Sequence, residues 1–516
     1  MPIKTAETLI GLLPVGAIPE SLKLSADSSH FACVAVEEGK MRVVYDGILG
    51  PLYDGITRDT PLLSPDGTRC VYAGQRGGKE FIVIDGEEGP EFDAIVEDRV
   101  CFSPDSQLVA YVGFRNEKMV FVVDGQESEE YDWIFRGPSF FSPDSRRTCF
   151  VGRRDDSMFL VVDGVVQKDE LYNSPKAIRA DTPLFSPDSQ HIAYVAQVGA
   201  WLQSRSPQNA PQGMASVSGG QEVVVYNGVC HATYDEISNQ PVFSSGESRI
   251  GYTGVRGGRA YVNVDGIEHG PYEGVGEKMP VFSLDGKRVS YSVRIKGRSA
   301  VITDGVQSDF YQDIGAGTPI FSPDGKRLTY VVRHGSKSAL VVDGQEQTTK
   351  YSAIQKHTLA FSPDSRRIAF AARTGLFGMK GCVEVDSQQG EVYTGVDLVP
   401  PVFSPDSRRV AHMALSGLET AFAVVDGVEG VPCNRFAEGS LRFSPDGRFV
   451  VYLGQLNGGA VVVVDGLRGE KGSIVSPAEG TILRGSNIVF DSALQFHILT
   501  LSPNREIKRL EVSVDV

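Results

Sequence analysis

The sequence predicts an all-β fold, a β-propeller of twelve four-stranded blades in one ring closed by a strand near the N-terminus. A repeated phrase is the first ground for it. Phe102-Ser103-Pro104-Asp105-Ser106 with Val122-Val123-Asp124-Gly125 returns as Phe321-Ser322-Pro323-Asp324-Gly325 with Val341-Val342-Asp343-Gly344. The period is the second. Marker serines stand at Ser25, Ser64, Ser103, Ser142, Ser186, Ser244, Ser283, Ser322, Ser362, Ser404 and Ser444, most of them 39 to 44 residues apart. A degenerate twelfth copy begins near Phe490-Asp491-Ser492. One supersecondary unit stacked at such a period reads as propeller blades. Third, no segment carries a sustained helical periodicity.

Each unit reads as four short strands. Strand A is the Pro-x-Phe-Ser piece, as in Pro401-Val402-Phe403-Ser404. Pro-Asp-Gly or Pro-Asp-Ser then turns the chain, because proline presets φ and the small polar residues suit the positions after it. Strand B, such as Arg367-Ile368-Ala369-Phe370, has the β-branched and aromatic residues of a packed pleat. Strand C is the valine run ending in Asp-Gly, a pair that tolerates positive φ and so signals a hairpin. Strand D is assigned to the signature Tyr53-Asp54-Gly55-Ile56, Phe92-Asp93-Ala94-Ile95, Tyr131-Asp132-Trp133-Ile134 and Tyr234-Asp235-Glu236-Ile237.

The phrase Phe-Ser-Pro-Asp-Gly followed by an Ile-Ala-Phe-like strand resembles the PD40 or TolB-like branch of the WD40-like β-propellers. The resemblance spans nearly the whole chain and departs from the family where Val-Val-Asp-Gly leads into Tyr-Asp-x-Ile. Such propellers include binding modules and peptidase-attached domains, so the likeness implies architecture more than activity.

Blade number favours two six-bladed propellers in tandem as the alternative, because single rings usually hold four to eight blades. The joints argue for one ring. Tyr272 to Ser283 is the same eleven-residue link as Tyr53 to Ser64, so no extra linker divides the halves. The last unit runs out at Glu511-Val512-Ser513-Val514-Asp515 without a strand D, while residues 8–18 form an unassigned strand-like stretch. Pairing the two removes two open edges. Residues 1–516 are therefore expected to form a single domain, interrupted by a loop insertion at about residues 200–220.

The chain is 41% hydrophobic and carries a formal net charge of −15. No run of eighteen apolar residues is present, so no membrane span is expected. The seven cysteines, an odd number without any Cys-x-x-Cys pair, read as reduced packing residues. They favour the cytoplasm, with the periplasm as the alternative.

Most motif-like residues read as turn chemistry. The Pro-Asp acids and the Asp-Gly acids serve their own loops, and Arg69, Arg147, Arg249, Arg288, Arg327, Arg367 and Arg409 stand beside them as ion-pair partners. A second series, Arg76, Arg115, Arg154, Arg256, Arg294, Arg333 and Arg373, ends strand B at the opposite end of the blade. With Lys79, Lys118, Arg259, Lys296, Arg298, Lys337 and Lys380 in the B–C loops, it would make a basic face able to steer an anion or an acidic partner. Solvated hairpin tips are the bland reading. Trp201, in the insertion, is a candidate anchor beside them.

No nucleophile elbow, phosphate loop or dinucleotide fingerprint occurs, and no metal or cofactor is expected. The net charge argues against nucleic acid. The reading is a non-enzymatic scaffold that engages a protein, peptide or anionic small ligand through the B–C loop face. A propeller hydrolase or lyase with its site near the central channel is the alternative.

Overall fold

Each blade begins with a first strand broken into two halves. In the third blade Ala94–Ile95 and Cys101–Phe102 both pair with Val109–Arg115, which pairs onward with Lys118–Val123 and then Gln126–Tyr131. The Asp124-Gly125 turn has φ of 48° and 76°, the left-handed pair that a tight hairpin between twisted strands requires. Twelve sheets of this kind give an all-β, twelve-bladed propeller ring. The computed structural model describes residues 3–515 except 136, 138, 156, 168–175, 180, 199–200, 204–215, 219, 247, 277–279, 348–350, 375–379, 397–398, 418 and 467–471.

The broken first strand corrects the sequence assignment of strand D. In Phe92-Asp93-Ala94-Ile95 only Phe92 ends the outer strand of its own blade, while Ala94–Ile95 starts the next blade. The aspartate between them is the crossover. Its carboxylate reaches forward to cap the following B–C turn, at 3.1 Å from Asp93 to the Asn116 amide and 2.8 Å from Asp54 to the Gly77 amide.

The chain forms two compact units. The unit of Pro14–Ala26 and His30–Gly274 holds the first six blades. Its cores lie between neighbouring sheets: Val71, Ala73, Ile82 and Phe92 pack with Val109, Tyr111, Val120 and Val122. The insertion is a β-arm rather than a plain loop, with Trp201–Gln203 pairing antiparallel with Ser216–Ser218. The Trp201 side chain and the rest of the 200–220 expectation lie outside the described residues.

The unit of Met1–Leu13, Asp27–Ser29 and Val275–Val516 holds the later blades. Here the strand Ile3–Leu12 pairs antiparallel with Glu506–Val514, from Ile3 opposite Val514 to Leu12 opposite Glu506. It is the outer strand of the last blade, as expected, but it spans residues 3–12 rather than 8–18. Lys4 meets Asp515 at 2.7 Å and Glu7 accepts the Ala478 amide at 3.1 Å, fixing its register. The turn Asp27–Ser29 also belongs here: Ser28 Oγ accepts the Asn487 amide, and the buried ring of His497 bridges Asp491 and the Asp27 carbonyl. Within the other unit, Ala17 bridges Ala35 and Ile18 donates to Val34, so residues 17–18 are the first half-strand of blade one.

The Pro-Asp turns are structural. Ser103 Oγ accepts the Leu108 amide and donates to Asp105, whose carboxylate also accepts the Gln107 amide. The Asp105 amide donates to Ser145 of the next blade at 2.9 Å, and Asp324 and Asp364 do the same to Ser365 and Ser407. Bonds from the serine hydroxyl, then from a backbone amide, hold Asp66 down at about 2 and lower Asp105, Asp144, Asp324 and Asp364. A folded-state value below the unfolded one adds stability above pH about 4, lost as pH falls through the folded value. The melting temperature is thus expected to drop steeply as pH falls from about 4 to 2. Serine-to-alanine changes at Ser64 and Ser103 should flatten that fall, and an unchanged profile would contradict the role given to these turns.

Candidate binding surface

The first arginine series is a set of staples, reaching further than local ion pairs. Arg69 Nε donates to Asp85 at 2.8 Å, its Nη1 donates to the Gln107 carbonyl of the next blade, and its plane lies over Phe102. Arg288, Arg327, Arg367 and Arg409 repeat the pattern on Asp304, Asp343, Asp386 and Asp426, each beneath the next blade's phenylalanine.

The second series proves to be two series. Arg76, Arg115, Arg154 and Arg256 form the last rung of the B–C hairpin, opposite Lys79, Lys118, Ser157 and Arg259. Arg294, Arg333 and Arg373 form the rung before it, opposite Ser299, Ser338 and Gly381. Adjacent strand residues point to opposite faces of a sheet, so the two groups do not share a surface.

The first four guanidiniums are consumed by the fold. Arg76 grips Glu88 at 2.9 and 2.7 Å and lies over Tyr53, the aromatic that ends the previous blade. The hydrogen bonds it donates are the main reason Glu88 is held below the usual carboxylate range. Arg115 pairs with Glu127 over Phe92, Arg154 with Glu129 over Tyr131, and Arg256 with Glu268 over Tyr234. A glycine two residues earlier makes the seat. A Cβ at Gly113, Gly152 or Gly254 would fall 2.4 to 2.5 Å from those rings. Tip lysines are neutralised as well: Lys40, Lys79 and Lys118 pair with the crossover acids Asp54, Asp93 and Asp132. The basic face expected from the sequence is therefore largely cancelled in the first three blades.

Blades seven to nine differ, and the difference lies in the crossover residue. Where Asp93 stands in blade two, the later copies have Gln312, Ser352 and Thr394 after Tyr311, Tyr351 and Tyr393. Gln312 still caps the Gly335 amide at 2.7 Å, so the hairpin keeps its hydrogen bond but loses its negative charge. Arg294, Lys296, Arg298, Arg333, Lys337, Arg373 and Lys380 are exposed, and no carboxylate among the described residues lies at ion-pair distance from them. Arg294 and Arg298 touch only carbonyls, of Gly297 and Phe310, with Arg298 also over the Phe310 ring.

The geometry defines a twelve-bladed propeller in which blades seven to nine carry exposed cations without a carboxylate partner among the described residues. No protein-family model matches the chain, and no curated protein matches it. A solved structure titled "Crystal structure of the eukaryotic initiation factor" is similar at a TM-score of 0.30 and 13% sequence identity, covering 70% of this chain and 94% of that one. A likeness at that level carries nothing about function.

Proposed function

We propose that the protein is a non-enzymatic binding propeller that receives an acidic protein or peptide surface on the B–C hairpin ends of blades seven to nine. One observation carries the reading: seven exposed cations there lack the carboxylates that neutralise Lys79, Lys118, Arg76 and Arg115 in earlier blades. Uncompensated charge on a chain of net charge −15 is a local field that steers an acidic partner and excludes basic ones. The likeness of the blade phrase to PD40 or TolB-like repeats supports a binding role. So do the exposed tip residues of blades seven and eight, such as Lys296 and Lys337, which a partner can reach without moving the blades.

The test is titration of a fluorescent polyglutamate peptide. Affinity is expected to fall about tenfold between roughly 50 and 300 mM salt, and about tenfold again in Arg373→Glu/Lys380→Glu. Binding indifferent to both would end the reading. We also propose a cytoplasmic setting, supported by seven unbridged cysteines. Burial pushes the thiols of Cys70 and Cys149 up to about 12, leaving them inert packing groups.

A further inference from the structure

We propose that a cavity within the later unit, shared by blades seven, eight and nine, is a binding site for a small ligand bearing an oxyanion, either a carboxylate or a phosphate. The cavity has a volume of about 670 Å³, inside the range of small-ligand sites. It goes beyond the acidic-partner surface, sharing only Arg333 with it.

Two glycines open it. After the aliphatic residue of the first half-strand, other blades place a side chain, such as Thr57, Val96, Phe135 or Gln355; blades seven and eight have Gly276 and Gly315. A Cβ at Gly276 would fall 2.0 Å from Ser292 Oγ, and one at Gly315 would fall 2.7 Å from Val331 Cβ. Ser292 itself is a departure. Its slot holds Ala73, Val112, Val151 and Val195 in blades two to five, and only the neighbouring blade six also has a hydroxyl there, Thr253.

Polar groups are aimed into that space. Ser292 and Ser338 line the cavity and are only 8% and 5% exposed. Neither hydroxyl has a hydrogen-bond partner among the described residues. A hydroxyl in the wall of a cavity can donate to an acceptor bound there, and two of them give an oxyanion two donors. Arg333 stands opposite Ser338 in the ladder and joins the lining with Lys356 and His357. Asp313 is the one carboxylate in the lining, and its Oδ1 accepts the Ile314 amide. Val275, Ile314, Val331, Ile354 and Leu359 form the apolar walls. Donors and cations in a pocket with apolar walls suit a compact organic acid or a phosphate ester. A guanidinium binds either oxyanion in bidentate fashion.

Calorimetric titration of the full chain with inorganic phosphate and, separately, succinate tests the site, against sodium chloride of matched ionic strength. Saturable binding of one or both is expected, and which one binds names the oxyanion. Arg333→Gln should raise the Kd at least about tenfold. Gly276→Thr/Ser292→Ala rebuilds the Thr57 and Ala73 pair that blade two already packs, so it should fold with wild-type melting behaviour and lose binding to a similar degree. Arg373→Glu/Lys380→Glu lies outside the lining and should leave the small-anion Kd within about twofold at roughly 150 mM salt, so this proposal and the acidic-surface reading fail separately. No saturable binding of either anion to the wild-type chain, or binding unchanged in the Arg333 or cavity-filling variant, would overturn it.

Discussion

Removal of residues 1–12 is expected to lower the melting temperature by about 10 °C or more and to shift the protein toward self-association. The strand Ile3–Leu12 supplies the only partner, among the described residues, for the outer side of Glu506–Val514. Its loss exposes a nine-residue edge in the last blade. Each ladder bond is worth about 0.5–1.5 kcal/mol net, so the pairing amounts to several kcal/mol. Ile3 also packs against the Val512 and Val514 core, which would open to water. An open edge of this length then recruits another chain. Scanning calorimetry and size-exclusion chromatography read both effects. A truncated chain that melts and elutes like the full one would show that the closing strand adds nothing.

Gly113→Ala is expected to destabilise by about 1–3 kcal/mol, the range for overpacking a filled core. Its new Cβ would fall 2.4 Å from the Phe92 ring, which is fully buried and carries Arg115 on its face. The ring must move, and the cation–π contact and the Arg115–Glu127 pair move with it. Gly74→Ala is the matched control, because there the nearest ring atom of Tyr53 is 3.2 Å away. Its cost should be visibly smaller. Chemical denaturation of both variants separates them, and Phe92→Leu should relieve part of the Gly113→Ala penalty. Equal costs at the two sites would sink the idea that glycine is kept there to seat the aromatic.

The blade plan was legible because turn chemistry is local. Pro-Asp-Ser and Asp-Gly turn the chain within a few residues, so their roles follow from spacing, whereas the reach of the Arg69-type arginines to Gln107 and Phe102 of the next blade does not. Ring closure was also legible, since a missing outer strand at one end and a spare strand at the other can be matched by counting. Its bounds were not, because Thr8 to Leu13 looks apolar while the paired segment begins at Ile3 and runs through the exposed Lys4, Thr5 and Ala6. The division of Tyr-Asp-x-Ile between two blades escaped the reading, as the sequence carries no punctuation at the crossover. Merging two arginine series was the larger error. A one-residue shift reverses the face of a strand, and the glycine two places before Arg76, Arg115, Arg154 and Arg256, absent before Arg294, Arg333 and Arg373, was the available signal. The candidate site lies in exceptions such as Gln312, Ser352, Thr394, Gly276 and Gly315. Such departures show only when the blades are aligned by register.

On the proposed reading, binding falls to the blades that break the repeat, while the repeated residues join neighbouring blades. Polyglutamate titration of two variants, both kept well below their melting temperatures, measures that most directly. Arg373→Glu/Lys380→Glu should weaken binding about tenfold without altering the melt, whereas Arg76→Gln/Arg115→Gln should lower the melt and leave binding unchanged. The reverse pattern, with binding lost at Arg76 and Arg115 and retained at Arg373 and Lys380, would contradict it.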